Sequence, residues 1–256
     1  ILVLFDDCHR DDPILGVQPL PVAGVHNSGW TQSPGKNLVD AIHKDRATNN
    51  EMKLLKEFVQ GVMNYFSEDD RILMWDIYNE PGQFGRGENS LKLLKLTWEW
   101  AHETRPSQPL TSCLDGSVGD KIIALNLKQS DVISFHMYEG DKIESTIKKY
   151  LKFDRPIFCT EYMARELGST FQHSLPIFKK YLVSCYSWGL VAGKSQTHFN
   201  WASILNLQKF LEEKKFINPG DPIPEPEIWF HDIFRKDGSA FDEAEVKFIK
   251  SIILEN

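Results

Sequence analysis

The chain lacks the features that announce a metal-binding, nucleic-acid-binding or membrane-spanning protein. Its only cysteines are Cys8, Cys113, Cys159 and Cys185, and none stands in a C-x-x-C or similar metal-type spacing. Cys113, Cys159 and Cys185 fall in apolar runs that read as buried strands, where a free thiol behaves as a small hydrophobe. Reduced thiols are therefore expected, and they point to no particular compartment. Positive charge is scarce as well: the formal net charge is −7 and no basic tract occurs, so the clustered Lys and Arg face that phosphates require is missing. No apolar stretch reaches membrane-spanning length. Neither nucleic acid nor a membrane is expected as a partner. Nothing marks a linker within the 256 residues, so one large α/β domain over residues 1–256 is expected. What is abundant is aromatic: sixteen Phe, seven Trp and seven Tyr. Most such rings fill cores, yet this number exceeds what core filling requires, and sugar-binding clefts use the surplus as stacking platforms.

The most informative stretch is Ile72-Leu-Met-Trp-Asp-Ile-Tyr-Asn-Glu-Pro81. Its apolar first half suits a strand buried on both faces of a parallel sheet. Asn79 and Glu80 then stand at the carboxyl end, and Pro81 with Gly82 prevents the strand from continuing. An acid in that place belongs to the rim of an α/β barrel or sheet, where strand ends carry chemistry. The plainer alternative is that Glu80 caps the next segment or pairs with a surface Lys.

Around it, strand-like and helix-like segments alternate. Six strands are expected, beginning near residues 1, 72, 110, 131, 156 and 183. Between the first and second lies a long loop rich in Pro and Gly, in which Trp30, His26 and Gln32 are candidates for one wall of a cleft; Trp30 as a loop anchor is the equal alternative. Thr48 with Glu51 three residues on spells a capping box, opening a helix whose buried face is Leu55, Phe58, Val59, Val62, Met63 and Phe66. Further helices are expected over 89–104, 121–127, around 143–150 and over 171–182. Asp242 with Glu245 starts a closing helix with Val246, Ile249, Ile252 and Ile253 inward. Such alternation predicts parallel pairing with right-handed crossovers. The fold class expected is α/β, a TIM (β/α)8-type barrel with only six of eight strands evident.

A second carboxylate, Glu161, ends the strand Pro156-Ile-Phe-Cys-Thr-Glu-Tyr162 as Glu80 ends its own, and a barrel would bring the two across one cleft. Facing carboxylates suit glycosidic bond cleavage: one protonates the departing oxygen, and the other meets the positive charge growing on the sugar carbon. His136 and Tyr138, at i and i+2 of the strand Asp131–Tyr138, share a face at its outgoing end. Each has a bland counterpart, a satisfied core histidine or a packed phenol, and for Trp188 a core indole. His198, Asn200, Trp201, His231 and Asp232, in the last long loop, are either substrate contacts or anchors.

Together Trp75-Asp-Ile-Tyr-Asn-Glu-Pro81, Ser134-Phe-His-Met-Tyr138, Thr160-Glu-Tyr162 and Tyr186-Ser-Trp-Gly189 resemble glycoside hydrolase family 5, the cellulase-like family of the clan A retaining β-glycosidases. The resemblance implies Glu80 as general acid/base, Glu161 as nucleophile, Asn79 on the sugar 2-hydroxyl, His136 and Tyr138 beside the carboxylates, and Trp188 as the platform under the sugar. Trp30, His26 and Trp201 are added as substrate-binding candidates. It implies double displacement without a metal or other cofactor, on plant cell-wall β-1,4-glycans (cellulose, β-glucan, xylan or mannan), with a polysaccharide or oligosaccharide as partner. A secreted or periplasmic location follows from that substrate class. Retention calls for carboxyl groups roughly 5 to 5.5 Å apart. The first strand here corresponds to the family's third, so the chain is expected to be a fragment lacking two strand-helix units and the Arg that one of them carries. Two other readings stand beside this one. One is a glycan-binding relative without turnover; the other is a metal-dependent barrel enzyme such as a sugar isomerase, with Glu80, His136 and Glu161 as ligands.

Overall fold

The capping box at Thr48 is present. The Glu51 amide donates to the Thr48 hydroxyl at 3.2 Å and the Thr48 amide to Glu51 Oε2 at 2.7 Å, which satisfies donors that a helix start leaves unpaired. The helix it opens buries Leu55, Val59 and Met63. Phe58, expected on the same face, is 42% exposed. It stands about 100° around the helix from Val59, at the border of the apolar stripe, with its ring 5.8 Å from that of Phe5.

The computed structural model describes residues 1–8, 16–17, 20–205 and 225–254. In chain order these give β1 (Leu2–Asp6), α1 (Lys36–His43), α2 (Asn49–Tyr65), β2 (Trp75–Asn79), α3 (Leu91–Thr104), β3 (Leu110–Thr111), α4 (Asp120–Gln129), β4 (Ile133–Met137), α5 (Ile143–Leu151), β5 (Ile157–Tyr162), α6 (Phe171–Tyr181), β6 (Ser184–Ser187), α7 (Ala202–Leu205) and α8 (Glu243–Leu254). The strands form two three-stranded sheets, in the orders β1-β2-β3 and β4-β5-β6. In the first the pairing is parallel, with Leu2 opposite Trp75, Asp6 opposite Asn79 and Trp75 opposite Leu110. No described helix is long and apolar enough to cross a membrane.

All six expected strands occur, several of them shorter than expected; β4 spans Ile133–Met137 rather than Asp131–Tyr138. β2 starts at Trp75 rather than Ile72, and β3 stops at Thr111 rather than Leu114. Beyond Thr111 side chains take up backbone groups: Ser117 Oγ and Asn126 Nδ2 donate to the Cys113 carbonyl at 2.5 and 3.2 Å, and Ser112 Oγ donates to Tyr78 O at 2.7 Å. All four cysteines are free.

The chain groups into two compact units. The first contains β1, Thr31–His136 and Tyr150–Phe158; the second contains Gly16–Trp30, Met137–Lys149 and Cys159–Asn256. Phe5, Val59, Trp75, Tyr78, Leu94 and Trp98 are central to the first unit's core, in which α2 packs on α3. Buried indoles there keep a partner: Trp75 Nε1 donates to Gln108 Oε1 and Trp98 Nε1 to Asn126 Oδ1, both at 3.0 Å.

In the second unit the organising group is Arg165. Its guanidinium donates to Glu245 Oε1 at 2.9 Å, to Glu245 Oε2 at 2.6 Å and to Trp229 O at 2.8 Å, and lies 5.0 Å over the Phe241 ring. This bidentate pairing draws Glu245 inward, so the inner face of α8 differs from the expected one: Glu245 is 4% exposed and Ile253 is 67% exposed.

Candidate active site

In the first unit, every residue of β2 is buried, and Glu80 follows directly with φ 42°. That left-handed backbone is unfavourable for a residue with a Cβ and is held by what surrounds it. The chief restraint is Asp7, just past β1. Its carboxylate accepts from the Gly82 amide at 2.7 Å, from Ser90 Oγ at 2.5 Å and from Tyr78 Oη at 2.9 Å, with Arg86 Nε 3.3 Å away. Burial pushes the Asp7 carboxyl up, and the Ser90 and Gly82 donors with the Arg86 charge oppose that shift. The loop that turns Glu80 outward is thus fastened to β1 by a buried, charge-assisted cluster.

Both oxygens of Glu80 are engaged. His136 Nδ1 lies 2.6 Å from Oε1, and the Cys8 thiol donates to Oε2. The His136 amide donates to Asp115 O at 2.8 Å, which fixes the ring's approach. Gly116 sits beneath the pair with φ 108°; a Cβ there would stand 3.0 Å from Glu80 Oε1 and 3.1 Å from His136 Nδ1. Asn79 is buried and donates from Nδ2 to Asp6 Oδ1 at 3.2 Å. Under this group Asp76 is buried, and desolvation lifts its carboxyl to about 7 against the opposing pull of His136.

In the second unit, Tyr138 donates from its hydroxyl to Glu161 Oε2 at 2.5 Å. The Tyr138 ring meets Trp201 edge-on, with centroids 5.1 Å apart, and lies 5.2 Å from His231. His231 is fully buried and hydrogen-bonds through Nδ1 to the Met163 carbonyl, so its proton resides on Nδ1. Burial depresses its pKa to about 3. Trp188 is half-buried and its amide donates to Tyr162 O at 2.9 Å. Gly189 follows with φ 81°, where a Cβ would come within 2.8 Å of both Asp232 Oδ1 and His231 Cβ. Trp201 is 39% and Trp30 51% exposed. His26 differs: it is 4% exposed, with Nδ1 2.7 Å from Phe199 O and its amide on Ser203 Oγ, and so anchors its loop from within.

Strand β4 links the two groups along the chain. His136 in β4 closes the first unit and is the partner of Glu80; Tyr138, two residues on and just past the strand, belongs to the second and is the partner of Glu161.

No protein-family model and no curated protein matches the chain. Solved structures do. An endo-β-1,4-mannanase from Thermotoga petrophila matches 91% of this chain and 58% of its own length, at 14% identity and a TM-score of 0.54. The hyperthermostable endo-1,4-β-D-mannanase from Thermotoga petrophila RKU-1, with maltose and glycerol, is covered over 67% (14% identity, TM-score 0.50). A glycosylated family 10 endo-β-1,4-xylanase from Gloeophyllum trabeum is covered over 69% (13% identity, TM-score 0.50). The chain has the TIM-type fold of the glycoside hydrolase barrels. It spans little more than half the length of the first of these mannanases.

In TIM-type barrels, active sites sit where strands end. Here Glu80 follows β2, Tyr138 follows β4, Glu161 lies near the end of β5 and Trp188 follows β6. Sequence reasoning missed three residues around these ends: Cys8 on Glu80, Asp7 behind the Glu80 loop, and Gly116 under His136. The last had a readable signal, since Asp115-Gly116 closes a strand. Cys8 and Asp7 had none beyond their place after β1.

Proposed function

We propose that the chain carries the catalytic centre of a retaining endo-β-glycoside hydrolase acting on β-1,4-linked cell-wall glycans. One observation supports this reading above the others: Glu80 and Glu161 are each held by a side chain from one short stretch of chain, His136 in β4 and Tyr138 just past its end, separated by a single residue.

Glu161 attacks the anomeric carbon while Glu80 protonates the departing oxygen, and a glycosyl-enzyme ester forms. Glu80 then takes a proton from water, which displaces Glu161 and releases the sugar with its configuration retained. The Tyr138 hydroxyl aims Glu161, and turns its lone pairs toward the ring oxygen as the ester forms. His136 shares a proton with Glu80 and sets its orientation. Trp188 supplies an apolar face for the sugar, and Asn79 an amide for a sugar hydroxyl. The mannanases and the xylanase that share the fold motivate the choice of β-1,4-glycans.

The test is a panel of mannan, xylan, carboxymethyl-cellulose and mixed-linkage β-glucan, read by reducing ends and by proton NMR of the first-formed anomer. Glu161→Ala should abolish turnover. Glu80→Ala should lose about 10²- to 10⁴-fold on the polysaccharide and much less on an aryl glycoside whose leaving group needs no proton. Release of the inverted anomer, or binding of oligomers with no reducing ends formed, would overturn the proposal.

A further inference from the structure

Cys8 stands just past β1 in the first unit, half-buried. Because β1 and β2 run parallel with Asp6 opposite Asn79, the residues just beyond that pair, Cys8 and Glu80, leave the sheet at the same edge. The Cys8 amide donates to Asp6 Oδ1 at 2.7 Å, an Asx-type turn that holds the chain against the strand end. Asn79 Nδ2 donates to the same carboxylate oxygen at 3.2 Å and lies 3.9 Å from Cys8 Sγ. The sulfur thus receives an N–H from Asn79 and directs its own proton to Glu80 Oε2.

That contact supplies something His136 alone does not. The last torsion of a glutamate side chain is broad and roughly two-fold, so a single hydrogen bond leaves the carboxyl plane able to swing. His136 Nδ1, 2.6 Å from Oε1, holds one oxygen; the Cys8 thiol holds the other, and with it the plane. Each carboxyl oxygen has two hydrogen-bonding directions, so the thiol occupies one at Oε2 and leaves the other for a substrate or water oxygen. A thiol is also a weak donor, which orients Oε2 without binding it tightly. On the reading that Glu80 is the general acid/base, we propose that Cys8 is a positioning residue for proton transfer: it sets the carboxyl plane from which Glu80 protonates the departing oxygen and later takes a proton from water.

The test compares the full chain with Cys8→Ala and Cys8→Ser, by kcat/KM, on the best polysaccharide and on a dinitrophenyl glycoside of the same sugar. Cys8→Ala should lose about tenfold on the polysaccharide. It should change by less than about twofold on the dinitrophenyl glycoside, whose leaving group departs without a proton. Cys8→Ser keeps a donor and should recover most of the loss, whereas a packing defect would lower both substrates alike. The contact also has a signature independent of turnover. The S–H stretch lies in a part of the infrared spectrum clear of other protein bands, and subtracting the Cys8→Ser spectrum isolates that of Cys8. Its frequency should lie below that of an unbonded thiol and rise in Glu80→Gln, because an amide oxygen accepts more weakly than a carboxyl oxygen. Failure of the parent to cleave any glycan would overturn the proposed function and leave the band to decide the contact. The role of Cys8 is overturned by a band unmoved in Glu80→Gln, by unchanged polysaccharide kinetics in Cys8→Ala, or by equal losses on both substrates.

Discussion

Tyr138 and Glu161 are joined by a hydrogen bond of 2.5 Å from phenol to carboxylate. This bond fixes the orientation of the Glu161 carboxyl group. Tyr138→Phe should lower kcat about ten- to hundredfold, the range of a charge-assisted hydrogen bond, with a smaller change in KM. An unchanged kcat would remove Tyr138 from this positioning role.

Gly116 bears on the other carboxylate. A methyl group at this φ of 108° and 3.0 Å from Glu80 Oε1 strains the backbone and pushes on the Glu80–His136 pair at once. Gly116→Ala is expected to cost about 1–3 kcal/mol of stability and to reduce kcat by more than tenfold, measured by denaturant unfolding and by turnover of the best substrate. Wild-type kinetics in a folded variant would show that the pair tolerates displacement.

Asp76 supplies a pH dependence of stability. Its carboxyl is raised from 3.8 to about 7 by burial. Between those values the folded chain holds a proton that the unfolded chain has released, so stability falls as pH rises through roughly 4 to 7 and levels off above. The contribution is on the order of a few kcal/mol. Asp76→Asn should flatten this fall, read as the difference in urea midpoints between variant and parent at pH 4.5 and 7.5, where groups common to both cancel. A difference independent of pH would show that Asp76 titrates normally.

Double displacement by two glutamates needs no cation. Dialysis against EDTA should leave kcat/KM within twofold, and added Mg²⁺ or Mn²⁺ should not raise it; loss on chelation with recovery on adding metal would favour a metal-dependent reaction.

Much of the fold was legible because its signals are local. The six strands, their alternation with helices and the Thr48–Glu51 cap follow from runs of residue types and from spacings that one turn or one strand can satisfy. Side-chain environments were less legible. Phe58 lies at the border of its apolar stripe, where periodicity does not tell inside from outside. His26 reads like a cleft residue, yet its partner is the carbonyl of Phe199, 173 positions away. Glu245 looks like a helix-start acid and is buried because Arg165, 80 positions away, arrives beside it.

The sequence by itself determined which residues stand at strand ends, and with them Glu80, His136, Tyr138 and Glu161, because strand length and chain breakers act over a few residues. Only the tertiary structure decided that Cys8 and His136 would share the two oxygens of Glu80, that Asp7 and Arg86 would hold its loop, and that His231 would be neutral beneath Tyr138. Those outcomes depend on which distant backbone segments come within hydrogen-bonding distance and exclude water, and no local pattern of residues encodes that proximity.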